Sequence, residues 1–248
     1  MPRLCVFCEG QAGNQEHALP RWLAKLFTDD VVDFSQRIHD GSEPRGRLWR
    51  GRPFSATVGT VCRACNNGWM SDLENASAPI LKPLVRGEET TLTSAEQHQV
   101  ATWAVKTMLM LRLVSWDGDS QELAPDTYSW LRRFGTPPPA EQVWLASYAG
   151  EGQWPMTFHY YAAGVAPLGE TRPTALNAHC SAFAIGHLAL GLAGSRLREA
   201  PPAVPSLPPD TWRPMWPAYG ETIAFPPPSI LAGDDEMRSL AEPSRWGG

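Results

Sequence analysis

The sequence predicts an α+β protein: a small cysteine-tied module over residues 1–80, then a body of helix and antiparallel sheet over residues 90–248 that ends in a proline-rich wrap. Three observations predict it. Two Cys-x-x-Cys pairs, Cys5/Cys8 and Cys62/Cys65, bracket the first module. A long helical pattern opens at Thr93. From Val143 the apolar periodicity changes to that of strands.

The first element, Cys5-Val6-Phe7-Cys8-Glu9-Gly10, reads as a metal knuckle. Residues 17–28, HALPRWLAKLFT, read as a short helix with Leu19, Trp22, Leu23, Leu26 and Phe27 on one face. Residues 29–61 read as strands and loops. Within them lies the basic stretch EPRGRLWRGRP, with Arg45, Arg47, Arg50 and Arg52. The second knuckle then opens a helix that is expected to end before Pro79.

Thr93-Ser94-Ala95-Glu96 is a capping-box pattern, in which the Thr hydroxyl and the Glu carboxylate satisfy each other's backbone amides. It leads into VATWAVKTMLMLRLV, apolar nearly all round and therefore a buried central helix. A further helix is expected over Pro125–Phe134. Val143–Tyr148 and Thr157–Tyr161 read as strands with a turn at Gly150-Glu151-Gly152, and residues 179–193 hold one or two more. From residue 200 the chain is punctuated by proline, yet Trp212 and Trp216 argue that it packs on the body.

Composition bounds the function. Hydrophobic residues make up 43% of the 248, ordinary for a globular chain that buries a sizeable core. The 24 prolines are about twice the usual share, and the 11 tryptophans supply many packing anchors. A net charge of -5 excludes a whole-molecule basic footprint for nucleic acid. Residues 1–92, however, carry equal numbers of basic and acidic side chains, so a local patch there can still grip phosphate. No apolar run is long enough for a membrane helix, and the first residues lack a signal-peptide core. The expected compartment is the cytoplasm, where thiols stay reduced.

Two Cys-x-x-Cys pairs in a reducing compartment read as metal ligands before disulfides. Each pair curls its backbone so that both sulfurs reach one ion, and Cys5, Cys8, Cys62 and Cys65 together make a tetrahedral Cys₄ zinc site. Four unrelated buried thiols are the bland alternative. Such a site is structural, since it leaves no open coordination position. Cys180, in a strand-like segment, reads as an ordinary core cysteine.

The chemistry lies beside the zinc. Glu16-His17 follows Cys8 by a short loop, and Asn66 follows Cys65 directly, so the knuckles bring these residues together. The order Cys-x-x-Cys, acid-His with Pro20 soon after, then Cys-x-x-Cys-Asn resembles the zinc-bearing HNH (ββα-metal) endonucleases over about residues 1–80. The strings EHALPRWL and CNNGWMSDLE are similar to those of a subgroup of bacterial HNH proteins. The resemblance implies a β-hairpin packed on a helix with one divalent ion between them. It implies Glu16 and Asn66 as ligands of that Mg²⁺ or Mn²⁺ ion and His17 as the general base that takes a proton from water. The implied partner is DNA.

The chain departs from that family in one place. The further Asn or His expected before the second knuckle is missing from Phe54–Val61, where Ser55 and Thr57 offer only hydroxyls. Asp72 and Glu74, on the expected helix, are candidate extra ligands. The stretch of Arg45, Arg47, Arg50 and Arg52 is either a phosphate-gripping hairpin, with Trp49 stacking on a base, or a solvated loop. Trp69 reads as a cover for the zinc site, and Trp103, Trp116, Trp130 and Trp144 as core. His159, His179 and His187 read as core or surface histidines, and His39 and His98 as surface ones.

Three functions stay open at this level. The first is a metal-dependent DNA endonuclease. The second is an HNH scaffold repurposed for a small molecule, with Glu16 and His17 as acid and base. The third is a non-catalytic zinc module that binds nucleic acid or protein.

Overall fold

The computed structural model describes residues 3–27, 32–39, 45–115, 122–149, 156–164, 176–196 and 207–241. The turn expected at 150–152, Trp116, and the tail residues 201–206 and 242–248 lie outside them.

The described chain is a mixture of helix and mostly antiparallel sheet. It opens with β1 (Asn14–His17), β2 (Val32–His39), β3 (Arg45–Gly51) and β4 (Thr57–Val61). A single helical turn, α1 (Arg63–Cys65), passes through a π-type turn over Asn66–Met70 into α2 (Ser71–Arg86). Then come β5 (Thr90–Leu92), the long α3 (Ser94–Ser115) and α4 (Thr127–Phe134). Four strands follow, β6 (Gln142–Ser147), β7 (Met156–Ala163), β8 (Ala178–Ile185) and β9 (Leu188–Ser195). The tail supplies β10 (Arg213–Trp216), β11 (Ile223–Phe225) and α5 (Asp234–Ala241).

β1 and β4 pair antiparallel and lead straight into α1 and α2, so a two-stranded ribbon and a helix form one unit. The large sheet has the order β10-β6-β9-β8-β7-β2-β3. The β2–β3 hairpin, inserted between the two strands of the ribbon, joins its edge through a parallel pairing of β2 with β7. Residues 32–51 of the expected first module thus extend the sheet of the body, and one core cluster runs from Phe7 and Leu23 to Phe183 and Leu190.

Both faces of the central strands are covered, so β8 and β9 are buried at every position. One face meets α3, where Trp103 packs edge-on against Phe183 with centroids 6.2 Å apart. The other face is made of small residues, Cys180, Ala182, Ala184, Ala189 and Ala193, and receives Trp212, Met237 and Leu240 from the tail. Gly191 has no side chain because a Cβ there would run into Leu240. The wrap inferred from Trp212 and Trp216 therefore exists, with β10 pairing with β6 and β11 with β5.

α3 starts as the capping box requires. The Thr93 amide and hydroxyl donate to Glu96 Oε2 at 2.8 and 2.7 Å, and the Glu96 amide donates to Thr93 Oγ1 at 3.3 Å. From Val100 to Leu111 every residue is buried.

Two helix expectations are corrected. The helix expected over 17–28 is a strand end followed by one 3-10 turn, Leu23–Lys25. The Ala18 amide donates to the Ala56 carbonyl at 2.9 Å, continuing the pairing of β1 past His17. Pro20 then disfavours helical geometry at Leu19, and the one helical turn begins only after it. The helix of the second knuckle does not end before Pro79. It runs through Pro79 and Pro83 to a left-handed cap at Gly87, with φ of 74°. An interior proline costs about 3 kcal/mol. Burial of Ala78, Leu81, Leu84 and Val85 offsets it.

Candidate metal centre and its buried acid–lysine cluster

The first knuckle is a tight turn. The Cys5 amide donates to the Gly10 carbonyl at 2.7 Å, and the Glu9 amide to the Cys5 carbonyl at 2.9 Å. Glu9 adopts φ of 60° to close it. The Val6 amide donates to the Thr60 carbonyl at 3.1 Å, which docks the turn against β4. The second knuckle begins at Cys62, whose Sγ accepts from the Cys65 amide at 3.4 Å and so caps α1.

These turns bring Cys5, Cys8, Cys62 and Cys65 together, with their four sulfurs all within 4.8 Å of one another. Four thiolates around one zinc at about 2.3 Å stand about 3.8 Å apart, so the donor set fits that ion. Cys5, Cys62 and Cys65 are buried, and none of the four is in a disulfide. Burial raises the Cys5 and Cys65 thiols. Burial also acts upward on Cys62, but the Cys65 amide and the neighbouring thiols bring it down to about 7. Phe7, between the paired cysteines, packs edge-on against Trp69 at 5.1 Å and Tyr128 at 5.4 Å, giving Trp69 its place beside the metal centre.

Glu16 and His17 end β1, opposite Val58 and Thr57 of β4. A bulge between Asn14 and Glu16 re-aims this strand end. His17 is half-buried and its basicity is lowered, first by burial and then by the Arg21 charge. Asn66 is half-buried at the first position of the π-type turn, one residue past Cys65, and its backbone N–H donates to the Cys62 carbonyl at 3.0 Å. Gly68, with φ of -100° and ψ of -118°, breaks the helical path there. The two chemical segments are thus carried by adjacent parts of one ribbon-and-helix unit.

Glu16 itself is only 6% exposed. Its carboxyl is pushed up to about 7, mainly by burial, with Glu74 adding to the rise and Lys106 opposing it. Lys106, on α3, is fully buried; its Nζ lies 2.5 Å from Glu74 Oε1 and 3.7 Å from Glu16 Oε1. Glu74, one of the candidate extra ligands, is therefore committed to an ammonium. Asp72, the other, is exposed. Sequence reasoning missed Lys106. The signal was present as a lone cation inside the apolar run VATWAVKTMLMLRLV.

The hydroxyls offered in place of the missing Asn or His point elsewhere. Thr57 Oγ1 donates to Gln15 Oε1 at 2.9 Å and Ser55 Oγ to the Arg52 carbonyl at 2.8 Å. Arg45, Arg47 and Arg50 fall in β3, whose side chains lie outside the described part. Arg52 is exposed just before the turn Pro53–Ser55.

A second buried polar chain lies between α3 and the sheet. Arg112 Nε and the Tyr160 hydroxyl donate to Glu122 Oε1 at 2.6 and 2.9 Å. Tyr160 stacks parallel to His179 at 5.8 Å, and His179 Nε2 lies 3.0 Å from Glu141 Oε1. His179 is thus a partnered core histidine, while His187 is exposed.

No protein-family model, no curated protein sequence and no solved structure matches the chain. Among the described residues, no helix is long and apolar enough to cross a membrane.

Proposed function

We propose that this chain is a metal-dependent phosphodiesterase acting on DNA, built on a zinc-tied ββα module of the HNH type. One observation carries the reading: a thiol cluster fit for zinc joins the loop before β1 to the start of α1, and β1 ends in Glu16-His17 while α1 ends beside Asn66. The same order of residues supports the likeness in sequence.

In this reading His17 accepts a proton from the attacking water at a ring nitrogen. Its lowered basicity keeps it neutral, and so able to accept, near pH 7. Glu16 and the Asn66 amide oxygen are the residues that would hold a hard divalent ion, and such an ion supplies positive charge to the phosphate and the leaving oxygen. The β2–β3 hairpin, with Arg45, Arg47 and Arg50 on β3 and Arg52 just beyond it, is the proposed phosphate grip. The test is incubation of zinc-loaded protein with supercoiled plasmid and single-stranded DNA, with Mg²⁺ or Mn²⁺ at low salt. Nicking that requires the added ion supports the reading, and intact DNA under every ion contradicts it.

A second reading is favoured by the burial of Glu16 behind α3. A carboxyl that is 6% exposed and raised to about 7 suits an acid–base role toward a small molecule better than contact with a bulky duplex. Intact DNA together with one bound zinc per chain would favour this alternative.

A further inference from the structure

We infer that Lys106 is a positioning residue of this site, fixing the Glu16 carboxylate in concert with Glu74. The inference rests on the reading of Glu16 as a functional carboxylate.

Lys106 occupies a place where packing alone asks for an apolar side chain. Its helical neighbours Val105, Thr107, Met108 and Leu109 are all 0% exposed, and Lys106 is equally buried. Removing an ammonium from water costs several kcal/mol, which a methionine or leucine there would avoid. The ammonium is committed to two acids from two other elements, Glu74 Oε1 of α2 at 2.5 Å and Glu16 Oε1 of β1 at 3.7 Å.

The geometry divides the work. Glu74 is the close partner and anchors the ammonium, and α2 is itself held to α3 by Gln99, whose amide donates to Ser77 Oγ at 2.9 Å and the Leu73 carbonyl at 3.3 Å. The anchored ammonium then draws one oxygen of Glu16, Oε1, towards α3. Oε2 is the oxygen assigned to a ligand in this reading. Without the cation, the buried Glu16 and half-buried Glu74 carboxylates would repel each other, and the end of β1 would lose its fixed acid. The body thus reaches Glu16 through a side chain of α3. Partners of this kind, one shell out from a ligand, commonly change metal affinity by about ten-fold or more when removed.

The test combines a stability cycle with direct metal binding, each on zinc-loaded full-length protein. Urea unfolding of wild type, Lys106→Met, Glu16→Gln and the double variant is expected to be non-additive, with Glu16→Gln more favourable in the Lys106→Met background than in wild type. Equal effects in both backgrounds overturn the inference. Titration with Mn²⁺ followed by electron paramagnetic resonance is expected to show about ten-fold weaker binding for Lys106→Met. Lys106→Arg is expected to restore most of the affinity. Unchanged Mn²⁺ affinity in Lys106→Met also overturns the positioning role. If wild type binds no Mn²⁺, the proposed nuclease fails, and the urea cycle alone decides whether Lys106 holds Glu16. If Lys106→Met does not fold, Glu74→Gln takes its place in the cycle. Glu16→Gln is then expected to cost more than in wild type, and equality overturns the inference.

Discussion

Cys8 Sγ lies 3.5 Å from Cys62 Sγ, which brings together two segments 54 positions apart. The residues proposed for the site follow the two cysteine pairs in the chain. The loop that leaves Cys8 becomes β1 with Glu16 and His17, and the helix that leaves Cys65 carries Asn66.

Purified protein should therefore contain one zinc per chain, measured by elemental analysis. Cys62→Ala or strong chelation should release the zinc and lower the melting temperature sharply, because structural zinc supplies much of the folding free energy of small Cys₄ modules. A chain that melts identically with and without chelator would show that the four thiols are merely core.

The capping box at α3 predicts a pH-dependent contribution. Glu96 accepts from the Thr93 amide and hydroxyl, which lowers its pKa. A depressed acid stabilises the fold fully above its unfolded value of about 4.3, and the contribution vanishes as pH falls through the lower folded value. The melting-temperature gap between wild type and Glu96→Ala should be open at neutral pH and close in acid. Thr93→Ala should cost about 1 kcal/mol in urea unfolding. A gap that stays constant through the carboxylate range would contradict the capping role.

Glu122 is buried between Arg112 and Tyr160. Glu122→Leu removes a carboxylate that compensates a guanidinium only 1% exposed. The expected loss is about 3–5 kcal/mol in urea unfolding, because a buried charge loses its close ion-pair partner. Replacing Arg112 and Glu122 together with Met and Leu should recover much of it. A single variant as stable as wild type would show that the pair contributes nothing.

Much of this architecture was legible in the sequence, for reasons that are local. The capping box, the apolar run of α3 and the short strand-forming runs of β6 and β7 are written in neighbouring residues, and each appeared where its pattern placed it. The Cys₄ cluster was legible because a metal knuckle needs a fixed spacing. What escaped were long-range balances. Nothing in HALPRWLAKLFT announces that Ala18 will pair with Ala56 and keep the chain extended. Pro79 looked like a stop, but Leu81, Leu84 and Val85 bury enough apolar surface to carry α2 past it. Lys106 was visible only as an oddity, since its partners Glu16 and Glu74 are supplied by other elements. The parallel join of β2 to β7 links residues more than a hundred positions apart, and no local pattern encodes it.

The central claim is that His17 performs base catalysis on a phosphodiester, and plasmid nicking by His17→Ala measures it most directly. His17 is only half-buried at the end of β1, so its replacement should leave zinc content and melting temperature close to wild type. The account predicts that Mn²⁺-dependent nicking falls by about 10²-fold or more, the range expected when a general base is lost. Zinc-loaded His17→Ala that nicks as fast as wild type would contradict it.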